Sequence, residues 1–564
     1  MVMVNFSKDK LKELNLSSQE LEEILFKFGF EIDEENEEEF KIDVTHDRSD
    51  CFHAYGLLRA LKAYIGKENK NIVVEKDENY EVIVDESVNN VRPYTVCAIF
   101  KNIDFTDEKI KEMINIQEKL HITIGRNRKK SAIGIYPYEK IKFPITFKAD
   151  IPEKIKFHPL NSLSEMTGKQ IVEEHEVGIK YAQLLEGKEK YPFFIDANNN
   201  ILSMPPIINS EMTGRVNENT KSVFVECSGD DLNTLSEVLN ILSIMFFEFG
   251  AKIIPVKVRY KKELNSQKEK EFVFPNLRSN KKIISKNTIK KIIGEDLKNK
   301  EIISLLKKMQ YEEIKELKEG YEVLIPSYRT DLWHEVDIAD DILRAKGIMN
   351  LEPIIPQVQG FGEEQKSSIK KEKIEKILTE IGFNQVMTLA LTNFDSQITQ
   401  MKIDEKNIKL IEEIEPIQVG NSVESGVNMV RFHILPELLK LIYNNQDKEL
   451  PLKLFELDQV AQIDRNEETL SRNIFHLALT ISDTQSQVTY LRQIIDYLSR
   501  KLGIEFIYEE YELPFYIEGR CVIIKQKDKV VGYLGELLPE VLDNFQVSIP
   551  TSSLEINLDL VDIN

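Results

Sequence analysis

The segment 321–352 constrains the fold most, because it joins a short apolar strand pattern to a helix pattern crowded with carboxylates. Residues 323–325 are apolar and Pro326 follows them, which predicts a short strand that ends there. Asp331 then stands where a helix N-cap belongs, immediately before apolar residues at helical spacing. The sequence therefore predicts a strand and then a helix that begins at Asp331.

Three more aspartates in this helix share one side of it. Asp337 and Asp341 are four residues apart and Asp340 is three from Asp337, and residues at these spacings are neighbours on a helix surface. With Asp331 they make four carboxylates that can converge, and their hard oxygen atoms suit Mg²⁺. In the alternative, Asp331 caps the helix, Asp337 complements its dipole, and Asp340 and Asp341 pair with Arg344. The spacing alone leaves both interpretations open.

Composition excludes several classes of protein. The 564 residues suffice for three or four domains. The net charge of −21 opposes nucleic-acid binding by the whole surface, so such binding needs a local basic patch or a partner. Four separated cysteines form neither a zinc motif nor a disulfide framework, which favours a reducing cytoplasm. Neither a signal peptide nor an apolar run of about 18 residues is found, so we expect no membrane contact.

Hydrophobic periodicity predicts a multidomain α+β protein with four domains. Residues 1–80 form a small N-terminal α+β module, and residues 90–260 form the longest block, an α/β domain. Residues 272–352, with two short helices and a small sheet, resemble a winged helix. Residues 363–564 alternate strands and helices, as in an antiparallel sheet with helices. The charged stretch 261–271 is a predicted linker.

A basic cluster in the second block is the best candidate for a phosphate contact, because four cations within five residues raise the local potential. Its members are Arg126, Arg128, Lys129 and Lys130. A solvated loop accounts for the same pattern. Lysines between 281 and 291 would suggest DNA or RNA binding in a free-standing protein, but lysines on amphipathic helices are mostly solvated.

The string P-S-Y-R-T-D-L-x-H-x-x-D-I-x-D-D-x-x-x-x-x-G at 326–347 resembles the mid-chain motif of the β subunits of phenylalanyl-tRNA synthetases. The resemblance implies that the four acidic positions hold a Mg²⁺ ion shared with the α subunit. Those positions are Asp331, Asp337, Asp340 and Asp341. The family usually has Glu where this chain has Asp340, whose side chain is shorter.

The block 90–260 resembles the same family through its strings at 125–130, 203–210 and 224–229. The resemblance implies an editing domain, which hydrolyses tyrosine wrongly attached to the tRNA for phenylalanine. An apolar pocket shaped for phenylalanine rejects an added hydroxyl by only about 100-fold, so a second site must recognise the phenol. A buried carboxylate that accepts the phenol proton can do so.

By this resemblance the editing candidates are Glu226, Ser228, Ser210 and Leu202. The chain has E-C-S-G at 226–229 where the archaeal and eukaryotic form usually has D-x-T-G, and Tyr136-Pro137 where that form has His-Asp, so the reach of the pocket differs. The stiff pair Pro205-Pro206 places the following residues at a pocket rim. The alternative is a domain kept for folding and for contact with tRNA or a subunit.

The block 363–564 resembles the class II synthetase-like core of these subunits through its strings at 420–431 and 532–542. In the family this core does not carry the adenylate chemistry, so we expect no residue of this chain to catalyse aminoacylation. Arg431 and Glu456 are interpreted as structural or interface residues. Neither the C-terminal anticodon-binding extension nor the OB module of bacterial β subunits is found, which points to the archaeal or eukaryotic type.

The resemblance implies a subunit of an α2β2 ligase that attaches phenylalanine to its tRNA, with ATP bound by the α subunit. The implied partners are that subunit and the tRNA for phenylalanine, and no DNA is expected. Two alternatives remain. One is a stand-alone deacylase of mischarged tRNA, and the other is a non-catalytic scaffold that binds nucleic acid.

Overall fold

The computed structural model describes residues 2–76, 79–162, 164–261, 270–357, 360–403, 415–422, 424 and 426–562. It divides into two compact units, Met1–Ile355 and Pro356–Asn564. Each unit contains helices and sheets, which confirms the mixed α+β class. Residues 262–269 of the predicted linker lie outside the described residues.

The first unit begins with a three-stranded antiparallel sheet, ordered β1-β3-β2, and three helices. The elements are β1 (Val2–Ser7), α1 (Lys8–Leu14), α2 (Ser18–Phe28), β2 (Glu31–Glu35), β3 (Glu39–Val44) and α3 (Ala54–Tyr64). Ser17 and Glu20 form a capping box that begins α2, and Gly29, with a φ of +78°, ends it. Local sequence therefore sets both ends of this helix.

A ten-stranded sheet follows, ordered β12-β11-β10-β7-β4-β14-β5-β13-β6, with β15 paired to β14. Its strands are β4 (Glu81–Val84), β5 (Tyr94–Lys101), β6 (Ser131–Pro137), β7 (Ile145–Asp150), β10 (Tyr191–Ile195), β11 (Ile201–Met204), β12 (Ile208–Asn209), β13 (Ser222–Gly229), β14 (Lys252–Tyr260) and β15 (Glu271–Phe274). The helices are α4 (Asp107–Ile122), α5 (Gly168–Glu174), α6 (Glu176–Tyr181), α7 (Glu211–Gly214) and α8 (Leu232–Glu248), and β8 (Lys156–Phe157) pairs with β9 (Met166–Thr167).

This sheet corrects the α/β class expected for residues 90–260. Strand β4 pairs in parallel with β7 and β14, whereas the remaining pairings between described strands of the sheet are antiparallel. Short turns such as 196–200 join neighbouring strands, and a short turn can join only antiparallel strands. The domain is therefore α+β.

The last part of the first unit has a three-stranded antiparallel sheet, ordered β16-β18-β17, and three helices. The elements are β16 (Asn280–Ser285), α9 (Lys286–Ile293), α10 (Asn299–Lys308), β17 (Glu312–Glu316), β18 (Gly320–Ile325) and α11 (Glu335–Lys346). The strand predicted at 323–325 is confirmed. The helix predicted from Asp331 begins only at Glu335, because His334 is its N-cap and Asp337 completes the capping box.

The second unit is built on a seven-stranded sheet, ordered β19-β22-β23-β27-β26-β25-β24. Its strands are β19 (Asn384–Gln385), β22 (Leu452–Ile463), β23 (Ser471–Ser482), β24 (Ile507–Glu510), β25 (Tyr516–Gln526), β26 (Lys529–Leu537) and β27 (Thr551–Asn557), while β20 (Leu391–Thr392) pairs with β21 (Met429–Val430). Its helices are α12 (Lys366–Glu380), α13 (Leu435–Tyr443), α14 (Val488–Leu502) and α15 (Pro539–Asn544). Apart from the parallel β19, the sheet is antiparallel, as the sequence predicts.

Arg431 and Glu456 form a buried ion pair in the second unit. An Nη1 group of Arg431 donates to Glu456 Oε1 at 2.7 Å and Nη2 donates to Asp458 Oδ2 at 3.0 Å. The Thr388 hydroxyl donates to the other Glu456 oxygen at 2.7 Å. Protein groups thus satisfy both charges, and the interpretation of the two residues as structural or interface residues stays a prediction. No described helix is long and apolar enough to cross a membrane.

Candidate functional site

A cavity of about 370 Å³ opens between α4, β6 and the segment that joins β11 to α7. Its walls are mainly apolar and include Ile110, Met113, Ile133, Ile135, Ile207 and Ile208. Pro205 and Pro206 also line it, so the rim predicted for this segment is present. Glu226 is the carboxylate of β13 that reaches the cavity. An apolar chamber with one buried acid can select a ligand by a single polar group.

Glu226 is only 2% exposed and belongs to a small polar network. The Tyr136 hydroxyl oxygen lies 2.7 Å from Ser203 Oγ and 3.1 Å from Glu226 Oε1. Glu226 Oε2 is buried and accepts no hydrogen bond of standard geometry from the described residues, although the Ser228 hydroxyl is close enough to lower the pKa of Glu226. Burial raises the pKa of Glu226 to about 8, although the Tyr136 hydrogen bond opposes the shift. Glu226 is therefore mostly protonated at neutral pH in the free protein.

Gly134 makes room for this network. Residue 134 lies directly opposite Glu226 in the β6–β13 pairing. A Cβ atom there would lie 2.2 Å from the Tyr136 hydroxyl and 2.5 Å from Glu226 Oε1, both far inside van der Waals contact. A glycine is therefore required for the phenol and the carboxyl group to meet.

Ser228 anchors a buried arginine instead of lining the cavity. Arg92 Nε donates to Ser228 Oγ at 3.1 Å, and Arg92 Nη2 also donates to the Ser228 carbonyl. The same guanidinium donates to the carbonyls of Arg128 and Lys129, at 3.3 and 3.4 Å. Burial lowers the pKa of Arg92 to about 10. Arg92 thus ties strand β13 to the basic loop.

The basic cluster divides between the cavity wall and the surface. Arg128 lines the cavity, where it donates to the Ile207 carbonyl at 3.0 Å and to Glu118 at 3.0 Å, and it lies 4.1 Å from the Tyr181 ring centroid. Arg126 and Lys129 are exposed. The half-buried Lys130 completes the cluster. The cations outside the wall remain the predicted phosphate contacts.

Residues 126–128 adopt left-handed backbone conformations, with φ values of +47°, +54° and +67°. Three consecutive non-glycine residues in this region carry strain that the surrounding contacts must offset. The bonds from Arg92 to two carbonyls of the loop are among those contacts.

His121 is held as a structural donor in the cavity wall. Its Nε2 atom accepts from the Ile133 N–H at 2.9 Å, so Nδ1 carries the proton and donates to Glu118 Oε1 at 3.2 Å. This hydrogen bond is the main cause that lowers the pKa of Glu118 to about 2. Both ring nitrogens are engaged, so His121 is not placed as a general base.

Leu202 and Ser210 lie behind the rim. Both are buried, and the Ser210 N–H donates to the Leu202 carbonyl at 2.8 Å. Of the four editing candidates, Glu226 lines the cavity, whereas the other three are not among its described lining residues. Sequence reasoning missed the partnership of Tyr136 with Glu226, although Gly134 inside a strand pattern signals a close approach.

The acidic segment is organised by Arg329, which is buried. Its Nε and Nη2 groups donate to the two oxygens of Asp331 at 2.9 and 2.8 Å, and Nη2 also donates to Asp341 Oδ2 at 2.7 Å. Tyr311 donates to the same Asp341 oxygen at 2.8 Å. Burial keeps the pKa of Asp341 above its ordinary value. For Asp331 burial acts in the same direction, but the charges of Arg329 and Arg48 outweigh it and lower the pKa.

The other two aspartates face different partners. Asp337 Oδ2 accepts from the backbone N–H groups of Trp333 and His334 at 2.8 and 2.7 Å. Asp340 Oδ2 accepts from Arg344 Nε at 2.7 Å. The structural interpretation is therefore confirmed for Asp337 and Asp340. It is wrong for the other two aspartates, which both bind Arg329 instead of capping the helix or pairing with Arg344.

The expected convergence of four carboxylates is absent from the part of the chain that the structure describes. No group of three or more His, Cys, Asp or Glu side chains there is placed to hold a metal ion. Arg329 binds both Asp331 and Asp341, whereas Asp337 accepts from backbone N–H groups and Asp340 accepts from Arg344. The oxygen chemistry suits Mg²⁺, but the described side chains do not form a complete ligand set by themselves.

Comparison with known proteins gives the class first. The model of the tRNA synthetase B5 domain matches residues 283–348, and the model of the phenylalanyl tRNA synthetase beta chain CLM domain matches residues 351–558. A crystal structure of an N-terminal fragment of the phenylalanyl-tRNA synthetase beta subunit from Pyrococcus horikoshii is similar, with a TM-score of 0.57 and 36% identity, over 61% of this chain and 99% of the fragment. The chain is built as a component of a tRNA synthetase.

Full-length relatives then give the family. The phenylalanine–tRNA ligase beta subunit of Pyrococcus abyssi is 36% identical over 565 residues, covering 98% of each chain. That of Methanosphaera stadtmanae is 30% identical over 574 residues, covering 100% of each. The chain belongs to the family of phenylalanine–tRNA ligase beta subunits.

The raised pKa of Glu226 predicts a pH-dependent stability. Because the folded pKa of about 8 exceeds the unfolded value, the stabilisation is complete below the unfolded pKa and is lost as pH rises through about 8. We expect the melting temperature to fall more steeply between about pH 6 and pH 9 in the wild type than in Glu226→Gln. Calorimetry across this range measures it. Glu218→Gln, at an exposed position, is the control, and equal slopes for all three proteins would contradict the assignment.

Proposed function

We propose that this chain is the beta subunit of a phenylalanine–tRNA ligase and acts with an alpha subunit to attach phenylalanine to its tRNA. The observation that carries the proposal is similarity of 30–36% identity over nearly the whole chain to proteins of that name. We infer an α2β2 assembly in the cytoplasm. The four cysteines are free and buried, consistent with a reducing compartment.

We also propose that the ligation chemistry, with its ATP, belongs to the alpha subunit. Support comes from the seven-stranded sheet of the second unit, where buried charges bind one another. Besides the Arg431–Glu456 pair, Glu555 accepts from the N–H groups of Ile434 and Leu435 at 3.0 and 3.1 Å and bonds to His476 at 2.7 Å. Charged groups committed in this way are not available to bind an adenylate.

The chain alone is therefore expected to charge no tRNA, and addition of the alpha subunit should restore charging. Formation of Phe-tRNA from ATP, phenylalanine and tRNA measures this directly. Charging by the purified chain alone would refute the proposal. Hydrolysis of Tyr-tRNA without any associated alpha subunit would favour a stand-alone deacylase. Salt-sensitive DNA binding, with no charging when the alpha subunit is present, would favour a scaffold.

An apolar stripe in the second unit is our candidate for the alpha-subunit contact. Met387, Leu389 and Leu391 are 84%, 79% and 53% exposed. Thr388, between the first two of these residues, donates to Glu456, and Thr392, directly after the third, donates to Glu437. Large apolar side chains held outward by a fixed backbone are typical of an interface core.

Leu389→Asp should weaken association with the alpha subunit, because it places a charge in an apolar contact, with a loss of about 2 kcal/mol or more. Native mass spectrometry of the mixed subunits measures the assembled fraction. Leu470→Asp, at another exposed leucine of the same unit, is the matched control and should assemble normally. An unchanged assembly for Leu389→Asp excludes this stripe.

We propose that the acidic segment contributes to a Mg²⁺ site completed by the alpha subunit. Asp337, Asp340 and Asp341 each use one carboxylate oxygen in the hydrogen bonds of the described residues, so each has a second oxygen for a cation. Asp331 would have to exchange its bonds to Arg329 to take part. The ion would supply positive charge between the acidic segment and the partner.

Asp337→Asn with Asp340→Asn should abolish the Mg²⁺-dependent stabilisation of the assembled ligase. Asparagine keeps an oxygen for the helix cap, so the fold of α11 is retained while the charge is lost. The melting temperature of the complex, measured with Mg²⁺ and with a chelator, gives the metal increment. Asp296→Asn, at an exposed aspartate outside the segment, is the control. A difference in melting temperature between Mg²⁺ and chelator equal to that of the wild type would show that Asp337 and Asp340 do not contribute to the Mg²⁺ site.

We propose further that the cavity is a hydrolytic editing site in which Glu226 recognises a phenol. The apolar walls fit an aromatic side chain, and Glu226 supplies the polar group that discriminates. Arg128 in the wall and Arg126, Lys129 and Lys130 beside it provide positive charge near the mouth for tRNA phosphates.

A further inference from the structure

Two residues that line the cavity each have a buried atom without a hydrogen-bond partner among the described residues, Glu226 Oε2 and Arg128 Nε. Glu226 is nearly fully buried and lines the cavity, and its Oε2 atom has no hydrogen-bond partner among the described residues. A buried polar atom without a partner is unfavourable, so a ligand that supplies the missing hydrogen bond is bound in preference to one that does not. Of these two atoms, only Glu226 Oε2 can accept a hydrogen bond from a ligand, because the Arg128 guanidinium can only donate.

Tyr136 determines which Glu226 oxygen is left for a ligand. Its ring is fully buried beside Phe224, with centroids 5.9 Å apart and planes at 29°. Its hydroxyl bonds to Ser203 and to Glu226 Oε1, so the phenol is fixed at both ends. The hydrogen bond from Tyr136 to Oε1 restricts rotation of the Glu226 carboxyl group, so the orientation of Oε2 is fixed as well.

We propose that Tyr136 is a positioning residue for substrate selection: by binding Oε1 it presents Glu226 Oε2 to a hydrogen-bond donor on an aromatic side chain. The inference rests on the proposed editing function and names the residue that sets its specificity. The ligand class is an aminoacyl group with an aromatic hydroxyl. A phenylalanyl group fits the same walls but leaves Oε2 unpaired, and sites built around a hydrogen bond reject such analogues strongly.

The proposal includes a pH dependence, because the ionised carboxylate accepts a phenol proton more strongly than the neutral acid does. Burial raises the pKa of Glu226 to about 8, and the Tyr136 hydroxyl and the Arg92 charge act in the opposite direction. Preference for the hydroxylated ligand should rise through about pH 8 in the wild type. Removal of the Tyr136 hydroxyl should move this rise to higher pH. The described titratable and charged groups around Glu226 are Tyr136 on β6, Cys97 on β5, Cys227 on β13 and Arg92 before β5, together with the cavity-lining residues Glu118, His121, Arg128 and Arg215.

The first experiment compares hydrolysis of Tyr-tRNA and Phe-tRNA by the assembled ligase. Tyr136→Phe keeps the ring and removes only the hydroxyl, so we expect the Tyr/Phe ratio of kcat/KM to fall about tenfold or more. Tyr138→Phe is the matched control, because its hydroxyl faces Tyr80 at 3.2 Å, and its ratio should equal the wild type. Ser203→Ala removes the other hydrogen-bond partner of the Tyr136 hydroxyl and should lower the Tyr/Phe ratio by a smaller factor. This variant replaces Tyr136→Phe as the test if Tyr136→Phe does not fold.

The second experiment measures binding without hydrolysis. L-tyrosinamide and L-phenylalaninamide differ only in the hydroxyl, and calorimetric titration of the ligase at about pH 6.5 and pH 8.5 gives their affinity ratio on each side of the Glu226 transition. We expect a preference for tyrosinamide that grows with pH in the wild type. In Tyr136→Phe the preference should be smaller and should grow only at higher pH. Glu226→Gln should show no such pH dependence.

The two experiments distinguish failure of this inference from failure of the editing proposal. Tyr-tRNA hydrolysis with the same ratio and pH profile in Tyr136→Phe and the wild type overturns the inference and leaves editing intact. Tyrosinamide preference that depends on Tyr136, without hydrolysis of either tRNA, supports the inference and overturns editing. Absence of both hydrolysis and preference overturns both.

Discussion

The guanidinium of Arg329 is the interaction on which the first unit depends most. It binds Asp331 and Asp341 in the interior and lies within electrostatic reach of the Arg48–Asp50 pair of the N-terminal module. Loss of one member of a buried charge set leaves the others unpaired, at a cost of about 3–5 kcal/mol. The Ser49–Thr330 hydrogen bond of 2.8 Å joins the same two parts of the chain. The acidic segment thus joins the N-terminal module to the last part of the first unit.

The acidic segment also shows how far local sequence determines structure. The strand at 323–325 was predictable because its pattern and Pro326 are local signals. The partners of Asp331 and Asp341 were not, because Arg329 lies outside the helix and reaches both through the turn. Helical spacing correctly predicted that Asp340 pairs with Arg344. It could not predict the bonds to Arg329, because that residue lies before the helix.

In the cavity, too, local features were predictable from the sequence and contacts between distant residues were not. The rim at Pro205 and Pro206 was predictable, since paired prolines restrict the backbone locally. Glu226 was identified by resemblance, and its place in the cavity required the sheet. The bond from Tyr136 joins residues 90 positions apart, and it exists only because β6 and β13 pair in a particular register. Register depends on the whole sheet and its buried faces, which single-strand patterns do not define.

The absence of a side chain at Gly134 limits which residues can occupy positions 136 and 226. Any larger residue there would collide with both the phenol and the carboxyl group, so a descendant that gains a side chain at this point must shorten or replace the other two. Loss of the aromatic residue at 136 would remove only one of the two clashes, because a Cβ atom at 134 would still lie 2.5 Å from Glu226 Oε1. A side chain added at position 134 alone would therefore clash with both partners, so residues 134, 136 and 226 constrain one another.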